Sequence, residues 1–239
     1  MAKILIVMPT YNQVRYIAEA VASIINQIHQ DWRLIIVDDC STDGTLDVLN
    51  NFPDKRITII RHDVNKGTGS SINYGFASAV KWGWDWDYET WFASDNRMYP
   101  NMLERLLANS ADADFIYSGY HFATHDKAGQ VTEMFDSRER LKPEYRKDRL
   151  YQESYFLGIC WLWSKALHDK VGEFQVEPCE DYDFALRCEE AGGRFKYVPE
   201  VLGWYRYHSG NKTQQIRDGG DWLKYERLLK ERAKVRRGL

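Results

Sequence analysis

The feature that most constrains this chain is a unit repeated through its first half: a short apolar run, a polar turn, then apolar residues at helical spacing. ILIVM (residues 4–8) is followed by Ile17, Val21, Ile24, Ile25 and Ile28 at that spacing. LIIVDD (34–39) leads into STDGT, whose Ser41, Thr42 and Asp43 suit the cap of a helix continuing through Leu46 and Leu49. ITIIR (57–61) precedes a helical pattern over 70–81, and TWFAS (90–94) precedes a helix opening near Pro100. FIYSGY (115–120) reads as a fifth strand. Strands that alternate with helices build a parallel sheet from βαβ units, because parallel neighbours need a crossover between them. The expected fold class is therefore α/β.

The 239 residues are 44% apolar and 14% aromatic, enough to fill one α/β core. A formal charge of −3 argues against a general nucleic-acid binder that works through phosphate contacts over a whole face. Cys40, Cys160, Cys179 and Cys188 lie far apart without a CxxC pair, so they read as packing residues rather than zinc ligands. MAKILIVMPTYN looks like a buried strand rather than a signal peptide, and no run approaches the roughly 20 apolar residues of a membrane span. The expected compartment is cytoplasmic.

The pattern changes after about residue 120. A turn is expected at DKAG (126–129), and the charged stretch SRERLKPEYRKDR (137–149) reads as a mobile loop or lid. Order is expected to return with YFLGICWLWSKAL (155–167), a helix over 181–191, and a pair of strands across RFKYV and VLGWYRYH. The final segment reads as a helix with Trp222, Leu223, Tyr225, Leu228 and Leu229 as apolar contacts. From Lys224 to Leu239 it carries seven Lys or Arg against two Glu. A solvated terminal helix packed by its apolar side is the first reading; peripheral contact with the anionic inner face of a membrane is the second.

Ligands of an open α/β sheet bind at the carboxyl ends of its strands, so the residues just after each apolar run belong together. Here they are Pro9-Thr10-Tyr11-Asn12, Asp38-Asp39, Asn65-Lys66-Gly67 and Ser94-Asp95-Asn96. Any one of these groups could merely cap the next helix.

In this order, however, PTYN, VDDCSTDGT, NKGTGSSINYG, ASDN with Pro100 following, and EDYDFALR resemble family 2 of the glycosyltransferases. The likeness runs from about Lys3 to His208. It implies a single GT-A domain: a Rossmann-like, mostly parallel sheet flanked by helices, with a smaller mixed acceptor-side region and a C-terminal helix. The expected division is a nucleotide-sugar-binding half (1–97), an acceptor-binding and catalytic half (98–208) and a basic helical tail (209–239). The implied activity is inverting transfer of a sugar from a nucleoside diphosphate to an acceptor hydroxyl.

A carboxylate at Asp39 can accept a hydrogen bond from the imino N–H of uracil, thymine or guanine, which favours a UDP-, dTDP- or GDP-sugar donor, UDP first. The resemblance implies that use for Asp39, with Thr10 and Tyr11 lining the base and ribose pocket. Pro9, Asn12, Gly67 and Ser94 complete the donor set, and Asp38 holds the turn beneath. The departing diphosphate calls for Mn²⁺ or Mg²⁺ on oxygen ligands. Asp95 is the expected ligand, and His208 resembles the late histidine that completes such sites through a neutral ring nitrogen.

Two departures stand out. Ala93 occupies the first acidic position of the family's Asp-x-Asp, so one carboxylate of the pair is missing. Ile72 stands where an arginine often precedes Asn73, which leaves Lys66 as the candidate cation toward the donor.

Inverting transfer needs a base facing the acceptor hydroxyl. By resemblance that base is Asp181, with Glu180 contacting the acceptor or orienting the loop. Gly158 opens a segment like the family's acceptor-side glycine loop, and Trp161 within it is a candidate sugar contact. Trp82, Trp84, Trp86 and Trp91 read as packing residues. The acceptor, a saccharide, a lipid-linked saccharide or another hydroxyl compound, is not legible, nor is the oligomeric state. The competing readings are a non-catalytic nucleotide- or carbohydrate-binding module with a degenerate metal site, and a nucleotidyltransferase. The second would want a glycine-rich phosphate loop that PTYNQ does not supply.

Overall fold

A computed structural model describes residues 2–125, 131–141, 144–153, 155–175, 179–208, 211, 219 and 221–238. In chain order its elements are β1 (Ile4–Thr10), α1 (Ile17–Ile25), β2 (Trp32–Asp38), α2 (Thr45–Leu49), β3 (Ile57–Arg61) and α3 (Thr68–Lys81). Then come β4 (Tyr88–Trp91), β5 (Arg97–Met98), α4 (Met102–Ala108), β6 (Phe115–His125), β7 (Val131–Asp136), α5 (Ser137–Leu141) and α6 (Arg149–Gln152). The last are β8 (Trp161–Ser164), α7 (Lys165–Val171), α8 (Glu180–Glu190), β9 (Phe195–Tyr207) and α9 (Trp222–Arg237).

The described strands form one nine-stranded sheet in the order β3-β2-β1-β4-β8-β6-β9-β5, with β7 hydrogen-bonded to β6. β3, β2, β1 and β4 run parallel, as their helical crossovers require. Beyond β4 the sheet is mixed: β8 is antiparallel to both β4 and β6, and β6 is parallel to β9. The period of two in β1 feeds two cores. Leu5 and Val7 pack on one face with Ile35, Phe76, Phe115 and Trp163, whereas Ile4, Ile6 and Met8 pack on the other with Ile17, Ile24 and Leu103. Helix α3 lies so close to β1 that a Cβ at Gly75 would sit 2.5 Å from Val7 Cγ1.

Several expectations need correction. Helix α1 ends at Ile25, so Ile28 is not on its apolar face. Ile28 is exposed, and its amide donates to the Pro100 carbonyl instead. β4 stops at Trp91, which puts Ala93–Asn96 in the turn that follows. RFKYV and VLGWYRYH are one long strand, β9, whose register against β6 shifts around Gly119 rather than breaking.

The charged 137–149 stretch is held down at both ends. Ser137 Oγ accepts from the Tyr120 amide at 2.9 Å. Arg149 is buried, donates to the Glu144 and Leu141 carbonyls, and lies 4.1 Å over the Phe156 ring. Charge alone misled the lid reading, because guanidinium groups here satisfy inward-facing carbonyls. The turn expected at 126–129 falls outside the described residues.

Helix α9 packs through Trp222, Tyr225, Leu229 and Ala233, at helical spacing, while Leu223 and Leu228 face solvent. Part of its basic charge is directed at the protein. Arg236 pairs with Glu190 and Asp183, and Arg237 with Asp148. Among the described residues no helix is long and apolar enough to cross a membrane.

The junction of the parallel and mixed parts of the sheet holds a buried carboxylate. Glu89 on β4, 2% exposed, accepts from Trp86 Nε1 (2.7 Å), from Trp163 Nε1 on β8 (3.2 Å) and from His168 Nδ1 on α7. Glu89→Ala leaves two indole N–H groups and an imidazole without their acceptor. Urea unfolding should show a loss of about 3–5 kcal/mol, the usual effect of removing one side of a buried ionic network. Glu89→Gln, which keeps one acceptor oxygen, should lose less.

Candidate active site

The loops after β1 and β2 are laced together by the residues that made up two of the sequence motifs. Asn12, in the left-handed region at φ 53°, donates its amide to Ser41 Oγ at 2.9 Å, and its side-chain oxygen accepts from the Thr42 amide at 2.8 Å. Gln13 and Val14 amides donate to Thr45 Oγ1 and Asp43 Oδ2. Asp43 also accepts from the Thr45 amide at 3.0 Å and so caps α2 from outside the helix. Asp38 is fully buried and accepts from the Ser41 amide and from Arg61, the supporting role expected of it.

Asp39 is a hub. Its Oδ1 accepts from His62 Nδ1 and from the Lys66 amide, and its Oδ2 from the Gly67 amide, each at 2.8 Å. A carboxylate offers about four acceptor positions, so one remains toward the cleft that Asp39 lines. His62, which the sequence reading did not single out, is buried against Tyr74. The Lys66 side chain is exposed and is not among the residues that line the cleft, and its backbone amide is what reaches Asp39. Arg15 lines the cleft instead.

Asp95 and His208 meet, Nε2 to Oδ2 at 3.2 Å, both mostly buried. Asn211 Nδ2 donates to the same oxygen at 2.9 Å, and the Tyr16 ring lies 4.6 Å from the imidazole. The sequence reading missed Arg206 beneath this pair. Its Nε donates to the Asp95 carbonyl at 2.9 Å, Nη1 to His125 Nε2 at 2.9 Å and Nη2 to Glu19, while its amide donates to Asn96 Oδ1 at 3.1 Å. Because Nε2 of His125 accepts, its proton sits on Nδ1, which donates to the Ala123 carbonyl at 3.0 Å. Burial, then the Arg206 charge, holds the His125 pKa below its ordinary value. The alternation of β9 carried the only clue: Tyr205 and Tyr207 line the cleft and Arg206 between them does not.

Glu180 and Asp181 open α8, where acids favour the positive helix end. Glu180 is buried and Asp181 half-buried, and both line the cleft. Asp181 Oδ1 accepts from the Tyr182 amide at 2.8 Å. Tyr155 sits against Asp181, and burial together with that carboxylate raises its hydroxyl pKa well above the ordinary value. Trp161 is mostly a core residue, 3% exposed, whose Nε1 donates to the Trp91 carbonyl at 3.2 Å, with only a margin at the cleft.

These residues share one cleft of about 1300 Å³. Pro9, Thr10, Tyr11, Asn12, Asp39 and Gly67 line it, together with Ala93, Ser94, Asp95 and His208 and with Gly158, Trp161, Glu180 and Asp181. Thr10 Oγ1 is buried without a protein partner among the described residues, as suits a hydroxyl kept for a ligand. Among the described residues no three His, Cys, Asp or Glu side chains converge to hold an ion by themselves. The Asp95 and His208 pair fits a divalent ion only if a ligand's oxygens supply further donors.

Comparisons with known proteins define the class and then the family. S. aureus TarS, solved in complex with UDP-GlcNAc, superposes with a TM-score of 0.70 at 20% identity, covering 89% of this chain and 60% of that one. The mannosyltransferase PcManGT of Pyrobaculum calidifontis, solved with GDP-Man and Mn²⁺, gives 0.69 at 16% identity, over 91% and 61%. The fold is thus that of the GT-A glycosyltransferases. The model of Glycosyl transferase family 2 matches residues 5–172, and the chain belongs to that family. Bacillus subtilis EpsE, a protein named as a glycosyltransferase, is 33% identical over 209 residues, covering 84% of this chain and 71% of EpsE. The chain spans 66% and 48% of the length of two further curated relatives.

Gly158 is fixed by the cleft itself. Its φ is +74°, and a Cβ there would lie 2.0 Å from Cε1 of Tyr120, whose ring forms part of the wall. Gly158→Ala should cost about 2–4 kcal/mol in urea unfolding, from the left-handed backbone and the overpacking together. Any folded variant should have its Tyr120 ring displaced into the cleft, which a crystal structure would reveal.

Proposed function

We propose that this chain is an inverting, metal-assisted glycosyltransferase that takes a nucleoside-diphosphate sugar, a UDP-sugar first, and transfers the sugar to an acceptor hydroxyl. The observation that supports this reading is a single cleft lined by Asp39, the Asp95–His208 pair and Asp181, drawn from distant parts of the chain. A donor laid along it places its base near Asp39, Thr10 and Tyr11 and its sugar toward Asp181. TarS and PcManGT, with UDP-GlcNAc and GDP-Man in their solved complexes, support a nucleotide sugar as the ligand class. On this reading residues 1–97 form the donor half, 98–208 the acceptor and catalytic half, and 209–239 a terminal segment.

Asp39 accepts the imino N–H of the base through its remaining acceptor position, while the Lys66 and Gly67 amides keep the carboxylate oriented. Asp181 takes the proton of the acceptor hydroxyl as the acceptor oxygen bonds to the anomeric carbon from the face opposite the leaving group. The bond from that carbon to the diphosphate breaks, and its electron pair leaves with the diphosphate. Tyr155 sits against Asp181 and borders it on one side. Mn²⁺ or Mg²⁺ would be held by Asp95 and His208 and, when bound, would supply positive charge to the departing diphosphate.

A binding module that has lost transfer remains the alternative, prompted by Ala93, which lines the cleft without offering a ligand. Asp181 favours catalysis, because a pure binder has no use for a proton acceptor in the acceptor half.

Asp181→Asn should lower turnover by roughly 10²–10⁴ while leaving nucleotide binding nearly intact. A variant that keeps most of its activity would remove Asp181 from this role. In a thermal-shift panel of UDP, dTDP, GDP, CDP and ADP, each with Mn²⁺, Mg²⁺ or chelator, only imino-bearing nucleotides should raise Tm, and more so with metal. Shifts indifferent to metal would set aside Asp95 and His208 as ligands.

A further inference from the structure

The cleft has a wall that the motifs do not touch. β7, β6 and β9 lie side by side there, and their registers align two rows of side chains on the face that lines the cleft. Phe135, Phe122 and Tyr205 form one row and Glu133, Thr124 and Tyr207 the next. In the first row neighbouring ring centroids are 5.0 Å apart, and Tyr120 adds a further ring 5.3 Å from Phe122. The alternate residues Ala123, Met134 and Arg206 do not line the cleft. An apolar aromatic row therefore runs beside a polar one, across three strands spanning about 10 Å.

We propose that this shelf is the acceptor subsite and that it takes a saccharide without negative charge, a proposal that rests on reading the cleft as a glycosyl-transfer site. A sugar ring is amphipathic in the same sense as the shelf: its C–H faces match the Phe135–Phe122–Tyr205 row, and its hydroxyl rim matches the carboxylate and hydroxyls of the Glu133–Thr124–Tyr207 row. The three strands give room for about two rings.

Charge narrows the class further. The two rows themselves carry Glu133 and no lysine or arginine, and among the described residues that line the cleft Arg15, on the loop after β1, is the one lysine or arginine, against six acids. A phosphate, carboxylate or sulfate on the bound rings would have to be desolvated beside Glu133 with no cation among the described residues of the two rows to receive it. Tyr120, beside Phe122, also neighbours Tyr155, which sits against Asp181, so a ring seated on the shelf can bring a hydroxyl toward that carboxylate.

The test is a printed array of neutral, amino and anionic oligosaccharides probed with the full chain in UDP and Mg²⁺, alongside Phe122→Ala, Phe135→Ala and Glu133→Lys. Nucleotide thermal shift is read on every variant, to separate damage to the fold or donor site from loss of the shelf. Neutral or amino saccharides should dominate the binding. Phe122→Ala and Phe135→Ala should each weaken it at least tenfold with the UDP shift retained. Glu133→Lys, at an exposed position, should move the preference toward anionic glycans. Dominance of anionic glycans with the native chain, binding that ignores both phenylalanine substitutions, or no saccharide binding by a chain that still responds to UDP would overturn the proposal. Loss of the UDP response alone would instead count against the donor site.

Discussion

A buried guanidinium organises this molecule. Arg206 is 5% exposed, so each of its guanidinium donors must find a partner inside the fold. It does so by reaching four separate places: the Asp95 carbonyl in the turn after β4, Glu19 on α1, His125 at the end of β6, and the Tyr16 ring 4.7 Å away. Moving any of them leaves a buried cation short of a partner, so the requirement locks the two halves of the sheet in one relation. His208, two residues on and just past the end of β9, is delivered to Asp95 as a consequence.

How much of this was legible depends on the range of the interaction. The parallel half was readable because each βαβ unit is local: ILIVM, LIIVDD and ITIIR announce their strands, and the polar residues after them lie where the connection must turn. The family motifs then located Asp39, Asp95, Asp181 and His208, all of which line the cleft. The mixed half was not readable in the same way. Nothing in WLWS says that β8 inserts between β4 and β6, since antiparallel pairing over such separations leaves no periodic trace. RFKYV and VLGWYRYH are separated in sequence by Pro199 and Glu200, yet β9 runs through both residues with a shift in register. The charged 137–149 stretch misled for a related reason: composition registers the charge of Arg149 but not the carbonyls that receive it.

Asp39 shows why a motif residue need not be either structural or functional. Its three protein donors leave one acceptor position, and they also fix the plane of the carboxylate, so the position left over points in a defined direction. A carboxylate held by two backbone amides and a buried imidazole pays little entropy on meeting a ligand. The loop Asn65-Lys66-Gly67 earns its place in the motif through its amides, which is why the Lys66 side chain can be turned out to solvent. The same logic covers Asn12, Ser41 and Thr45, whose side chains tie one strand-end loop to the next and so shape the floor on which Thr10 and Tyr11 stand.

The loss of an acid at Ala93 has a consequence that follows from charge alone. Asp39, Asp43, Asp95, Glu133, Glu180 and Asp181 line the cleft, and Arg15 is the one described lysine or arginine that faces them. A diphosphate entering such a space meets net negative potential, so on the proposed reading a cation must enter with it. A site with two carboxylates would cancel both charges of a divalent ion. With Asp95 alone, and His208 as a neutral ligand, one positive charge is left for the diphosphate. On that reading the ion would be held less tightly by the protein and more tightly by the leaving group, so metal and donor would bind as a pair rather than in sequence. Ala93 would thereby shift the affinity for the ion from the protein to the nucleotide sugar, without removing the charge that a departing diphosphate requires.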